Sequence, residues 1–198
     1  MARRKRENII IMHCHIFPDK IEEKAVSAIG AFYDIPMQNK GTSEFLLADG
    51  RPVGVNKYLV CSTATTAHQV ESINNFVARE AGLHPEFIGF GSLHPDYEDV
   101  AAEIDRMLSL GLRGIKLHPD FQKFNIDDER AFPIYKAAEG RLPILFHTGD
   151  DRYDFLEPQA PGACAGAVSE AGGNCRPPRR VPGLGGCRGQ LRQPPGVH

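Results

Sequence analysis

Two histidines two residues apart, His13 and His15, close a run of apolar residues, Ile9-Ile10-Ile11-Met12. An apolar run of this length is the pattern of a short buried strand. Side chains alternate between faces along a strand, so both imidazoles project the same way from its C-terminal end. Two neutral imidazoles on one rigid element can offer two nitrogen ligands to a divalent metal ion. The competing explanation is a pair of histidines on the wet face of a half-exposed strand, and the motif alone leaves that explanation ahead. Cys14 stands between the two and points to the opposite face, where packing is its expected role.

The elements that must position these histidines follow from hydrophobic periodicity. Strands are expected at Asn8 to Met12, Lys57 to Cys61, Glu86 to Gly91, Leu112 to Leu117 and Arg141 to Phe146. Between them, helical spacing of apolar residues predicts helices from Pro18 to Ile29, from Ala67 to Ala81, from Asp99 to Leu110, and through Phe132 to Ala138. Asp127 or Asp128 is expected to cap the last of these, and Thr42-Ser43-Glu44 opens a shorter helix carrying Phe45, Leu46 and Leu47. Strands alternating with helices imply right-handed crossovers and a parallel sheet. Five such units exceed what a small doubly wound domain needs and predict the first part of a (β/α)8 barrel, an α/β fold. In that fold chemistry sits at the C-terminal ends of strands. Four of the five predicted strands end in histidine there: His13 and His15, then His94, His118 and His147. That placement moves the balance towards a metal site.

The chain has 198 residues, enough for one domain with a sizeable core. A formal net charge of -2 gives no electrostatic argument for nucleic acid or an anionic membrane. Residues 1–7 are basic (Ala2-Arg3-Arg4-Lys5-Arg6) and are expected to be a disordered tail, because four apolar residues are too few for a signal peptide's apolar region. No stretch reaches transmembrane length. Five cysteines without a CxxC pair argue against a disulfide framework and fit a reducing cytoplasm.

Composition changes near Phe155. Residues 156–198 hold 9 of the 20 glycines, 7 of the 15 prolines and three of the five cysteines, with no aromatic residue. Glycine and proline at that density, without a period, signal disorder. The accompanying Ala, Arg and Cys are what GC-rich codons yield out of frame. Read one nucleotide later, the segment is compatible with an amphipathic helix, an apolar strand and a histidine before two glycines. The expected organisation is therefore a partial barrel over residues 8–155, followed by an out-of-frame tail over 156–198.

The segments IIIMHCHIFP (Ile9 to Pro18), GFGSLHP (Gly89 to Pro95), GIKLHPDFQ (Gly114 to Gln122) and PILFHTG (Pro143 to Gly149) together resemble the amidohydrolase superfamily. The resemblance is to its amidohydrolase-related branch of TIM-barrel metal-dependent hydrolases. It covers Asn8 to Phe155, part of a domain of about 250 residues. It implies that His13 and His15 are the first-strand ligand pair and His147 the fifth-strand ligand of one ion, Zn²⁺ or another divalent metal. The family's sixth-strand histidine has a counterpart only in the shifted frame, and its eighth-strand aspartate has none. Ile11 stands where an acidic residue often precedes the pair.

The implied activity is hydrolysis: water activated on the metal attacks a carbonyl or a C–N or C–O bond of a small molecule. One alternative is non-oxidative decarboxylation of the aminocarboxymuconate-semialdehyde decarboxylase type. The other is an inactive truncated fragment with unpaired strand edges. A small-molecule substrate is the expected partner, with a homodimer for the full-length barrel. Lys116 and His118 are expected to bind substrate, Lys116 having carbamylation or pairing with a carboxylate as its other roles. His94 is equally compatible with a hydrogen-bonded loop residue, His68 and His84 with surface positions, and Asp150 and Asp151 with a solvated loop.

Overall fold

The computed structural model describes residues 8–147, 152 and 168–169. The basic segment 1–7, Asp150, Asp151 and all of the 156–198 tail except Val168 and Ser169 lie outside them. Among the described residues, six parallel strands form one sheet in the order in which they occur along the chain. They are β1 (Ile9–His15), β2 (Val55–Cys61), β3 (Phe87–Ser92), β4 (Gly114–Leu117), β5 (Ile144–Phe146) and the two-residue β6 (Val168–Ser169). The helices are α1 (Asp19–Tyr33), α2 (Ser43–Gly50), α3 (Val70–Leu83), α4 (Val100–Ser109), α5 (Pro119–Gln122) and α6 (Phe132–Ala138). A doubly wound sheet reverses its strand order at a switch point. Here each strand pairs with the next one without reversal, which is the winding of a (β/α)8 barrel; β1 to β5 with their helices are its first five units.

The local reasons for the helices are visible. Thr42 caps α2, its hydroxyl accepting the Phe45 N–H at 3.2 Å, and Asp99 caps α4 by accepting the Ala102 N–H at 3.1 Å. Of the two candidate caps before α6, Asp128 acts: it accepts the Arg130 N–H at 2.9 Å and opens a 3-10 turn, Glu129–Ala131, that leads into the helix. α4 buries Val100, Ile104 and Met107, a single stripe at helical spacing, and leaves Leu108 exposed at its margin. α1 buries none of its residues fully, so its apolar stripe is only half covered.

Two apolar layers result. The larger lies between sheet and helices and includes Cys14, Tyr58, Val60, Ile115, Leu117 and Phe146. The smaller, on the other face of the sheet, is Leu59, Cys61, Phe90 and Leu145. Alternation along each strand assigns residues to one layer or the other, as in parallel sheets covered on both faces. Glycines make room where the layers are tightest. A Cβ on Gly91 would meet Met107, Leu112 and the Asn74 side chain, and one on Gly114 would meet the Phe90 ring. β1 is an edge of the sheet among the described residues, and Ile9, Ile10, Ile11 and Met12 are exposed there. The expectation that this apolar run is buried is therefore corrected: an edge strand lacks the second neighbour that would cover it.

Candidate metal centre

β1 runs three residues further than its apolar run, so His13 and His15 lie inside the strand. The register with β2 slips between Ile11 and Cys14, where β1 carries one residue more than its partner. Such a bulge re-aims the side chains beside it. Cys14 stays in the helix-side layer, and the two histidines face the other way. Their Nε2 atoms approach to 2.9 Å, with ring centroids 4.8 Å apart. His15 is in register with Cys61 of β2. Ligand atoms of His13, His15 and Cys61 all lie within 4.8 Å of one another, a group of donors with the spacing a metal ion can use.

Lys116 and His147 complete this face from the far strands. Lys116 alternates with Ile115 and Leu117, which pack towards the helices, and is in register with Leu145 of the inner layer. Its side chain is fully buried. His147 follows Phe146 at the end of β5, its ring centroid 6.3 Å from that of His13. His118, just past β4, stacks on His147 with centroids 4.0 Å apart and on Phe121 at 3.8 Å. The Tyr33 hydroxyl, from the last residue of α1, lies 3.1 Å from Nε2 of both His118 and His147.

Electrostatics favour neutral imidazoles. Burial, then the charge of Lys116, then His147 push His13 down to about 4. Burial, His13, Lys116 and His147 push His15 to about 3, and burial with His147 and Lys116 pushes His118 lower still. Neutral imidazole is the form that binds a metal. Two neutral rings with converging Nε2 atoms, now sharing a hydrogen bond, therefore fit a divalent ion. The contacts fit one arrangement of the protons. Nδ1 of His118 accepts the Phe121 N–H at 3.4 Å, which places the ring proton on Nε2. That N–H donates to Tyr33, whose own O–H is then directed to Nε2 of His147.

The loops carrying these groups are tied together by Gln122. Its Nε2 donates to the carbonyls of Ala64 (2.8 Å) and Leu93 (2.6 Å), and its Oε1 accepts the His118 N–H at 2.8 Å. One buried side chain thus joins the loops after β2, β3 and β4. Other histidines stand apart from the cluster. His94 accepts the Asp96 N–H at 3.1 Å within its loop, His68 is exposed beside Thr66, and His84 faces Glu80 at 3.8 Å.

The sequence reading gave no site role to Tyr33, to Cys61 at the end of the second strand, or to Gln122. Cys61 was findable, since alternation from Leu59 places it on the same face as the histidines once the strand register is known. Tyr33 carries no local signal: it reaches residues 85 and 114 positions away.

A search of curated proteins returns no match. Among solved structures, 2,6-dihydroxybenzoate decarboxylase complexed with 2,6-dihydroxybenzoate superposes with a TM-score of 0.53 at 16% identity, over 73% of this chain and 51% of that one. Dihydroxybenzoic acid decarboxylase from Polaromonas sp. JS666, with bound manganese and 2-nitroresorcinol, gives 0.52 at 14% identity, over 72% and 50%. 4-Oxalomesaconate hydratase from Rhodopseudomonas palustris gives 0.49 at 19%, over 70% and 52%. The chain spans about half the length of these solved structures. The family model described as Amidohydrolase matches residues 10–195. With nearly the whole chain matched and the strand order of a barrel, the protein belongs to the amidohydrolase family.

Proposed function

We propose that this chain carries the metal-binding part of a metal-dependent hydrolase acting on a small molecule. The observation that carries the proposal is the 2.9 Å approach of His13 and His15 Nε2 on a face where burial and Lys116 keep both rings neutral. His13 and His15 would hold one divalent ion, with zinc as the first choice, and His147 is the outlying imidazole of the set. When bound, such an ion polarises a carbonyl and acidifies water.

The chain's own residues supply the surroundings. The buried ammonium of Lys116 offers a positive partner for an anionic substrate group, and His118 presents its ring beside it. The Tyr33 hydroxyl bridges His118 Nε2 and His147 Nε2, so a proton taken at one ring can be balanced at the other. Gln122 holds the His118 backbone N–H and fixes where that ring begins. For His147 to join the metal through Nε2, its bond to Tyr33 must break.

Non-oxidative decarboxylation is the second reading. It is supported by the charge of Lys116, suited to a carboxylate, and by the decarboxylases among the superposed structures. The discriminating experiment incubates metal-loaded protein with a panel of small carboxylate-bearing esters, amides and hydroxybenzoates. Hydrolysis products without carbon dioxide support the first reading, and carbon dioxide release without hydrolysis replaces it with the second. No metal-dependent turnover of either kind contradicts both.

A further inference from the structure

We propose that Cys61 is a ligand of this centre, giving the chain a His–His–Cys donor set that prefers zinc to harder ions such as manganese. The proposal rests on the metal-centre reading above and adds a donor to it. β1 can supply only two donors to this face: the neighbouring residues Ile11 and Met12 offer no strong ligand atom, and Cys14 is turned into the helix-side core. The next donor must come from a neighbouring strand. β2 is hydrogen-bonded to β1, and its residue in register with His15 is Cys61. Sγ of Cys61 and the ring nitrogens of His13 and His15 lie within 4.8 Å of one another, whereas Nε2 of His147 is engaged by Tyr33.

Charge balance argues the same way. An ion held only by neutral imidazoles keeps its full double charge beside the buried ammonium of Lys116, an unfavourable pairing at low dielectric. A thiolate ligand halves that charge. On loading, the Cys61 S–H bond breaks, its proton leaves to solvent, and the sulfur lone pair forms the bond to the metal. Its contact with the Cys14 carbonyl, Sγ donating at 3.7 Å, is weak. Thiolate selects zinc over manganese and magnesium, which favour oxygen donors.

The test is zinc K-edge X-ray absorption on the full chain carrying Cys164→Ser, Cys175→Ser and Cys187→Ser, so that Cys14 and Cys61 are the remaining thiols. The expected result is one sulfur at about 2.3 Å beside nitrogens at about 2.0–2.1 Å. That sulfur should disappear when Cys61→Ser is added, with the far-ultraviolet circular dichroism unchanged. Stoichiometric zinc with nitrogen and oxygen neighbours only overturns the role of Cys61 and leaves the imidazole centre standing. A sulfur that survives Cys61→Ser also overturns it. Failure to bind stoichiometric zinc overturns this proposal and the metal-centre reading together. Should the Cys61→Ser chain fail to fold, sulfur coordination in the triple variant, with the same result after Cys14→Ala, still supports the proposal, and its absence still overturns it.

Discussion

The ring of His147 lies flat on the ring of His118, centroids 4.0 Å apart and planes 10° from parallel, and both Nε2 atoms meet the single hydroxyl of Tyr33. Residues from the ends of β4, β5 and α1 thus meet at one hydroxyl. Arg152 covers the arrangement, its guanidinium 5.1 Å above the Phe32 ring and 5.8 Å above that of Tyr33.

Because Tyr33 occupies the nitrogen that His147 would offer a metal, Tyr33→Phe should tighten metal binding. One hydrogen bond is worth about 1 kcal/mol, so the dissociation constant should fall about fivefold. Zinc titration against a chelating dye measures it. Weaker binding in Tyr33→Phe would show that the hydroxyl supports the ligand instead of competing for it.

Gln122→Leu keeps the side chain's size but removes three bonds, to Ala64 O, Leu93 O and His118 N. Leaving buried backbone groups without these partners should cost about 3 kcal/mol and lower Tm by about 10 °C. Thermal unfolding followed by circular dichroism gives the value, and a shift within 2 °C, roughly under 1 kcal/mol, would mean that the three loops hold themselves.

The fold was legible because β1 to β5 and the longer helices announce themselves within a dozen residues. The alternation of apolar runs with amphipathic stretches implied a parallel barrel sheet, and the Thr42 and Asp99 caps stand at the starts of their helices. The four-residue α5 carried no such period, yet it contributes Gln122. Strand ends predicted histidines at one end of the sheet. What alternation could not convey is register: that His15 meets Cys61, or that a bulge re-aims His13, depends on pairing between segments about 45 residues apart. Contacts such as that of Tyr33 with His147 arise only when helices pack over the sheet.

Acid should destabilise the metal-free protein in a specific window. His13, His15 and His118 are held below the ordinary value of 6.5, at about 4, about 3 and lower. Between those values and 6.5 the unfolded chain binds more protons than the folded one, so stability is full above about 6.5 and falls as pH drops. Near pH 5, unfolding should take up close to three protons from these residues, read from the slope of unfolding free energy against pH. A flat profile from pH 7 to 4.5 would contradict the neutral, buried placement of the rings.

Lys116→Met removes the buried positive charge that acts on all three imidazoles. Their titration midpoints in the metal-free protein should rise, as followed by the ring carbon resonances in NMR. Unmoved midpoints for His13 and His15 would place the ammonium farther from the centre than the structure does.

The most direct test of the account is metal stoichiometry by calorimetric zinc titration of the purified chain and of His13→Ala/His15→Ala. The account predicts one tight equivalent in the parent chain and loss of that equivalent in the double variant, whose circular dichroism stays unchanged. An equivalent of zinc bound with the same affinity after both histidines are removed, or none bound in the parent, would contradict a metal centre at the end of β1.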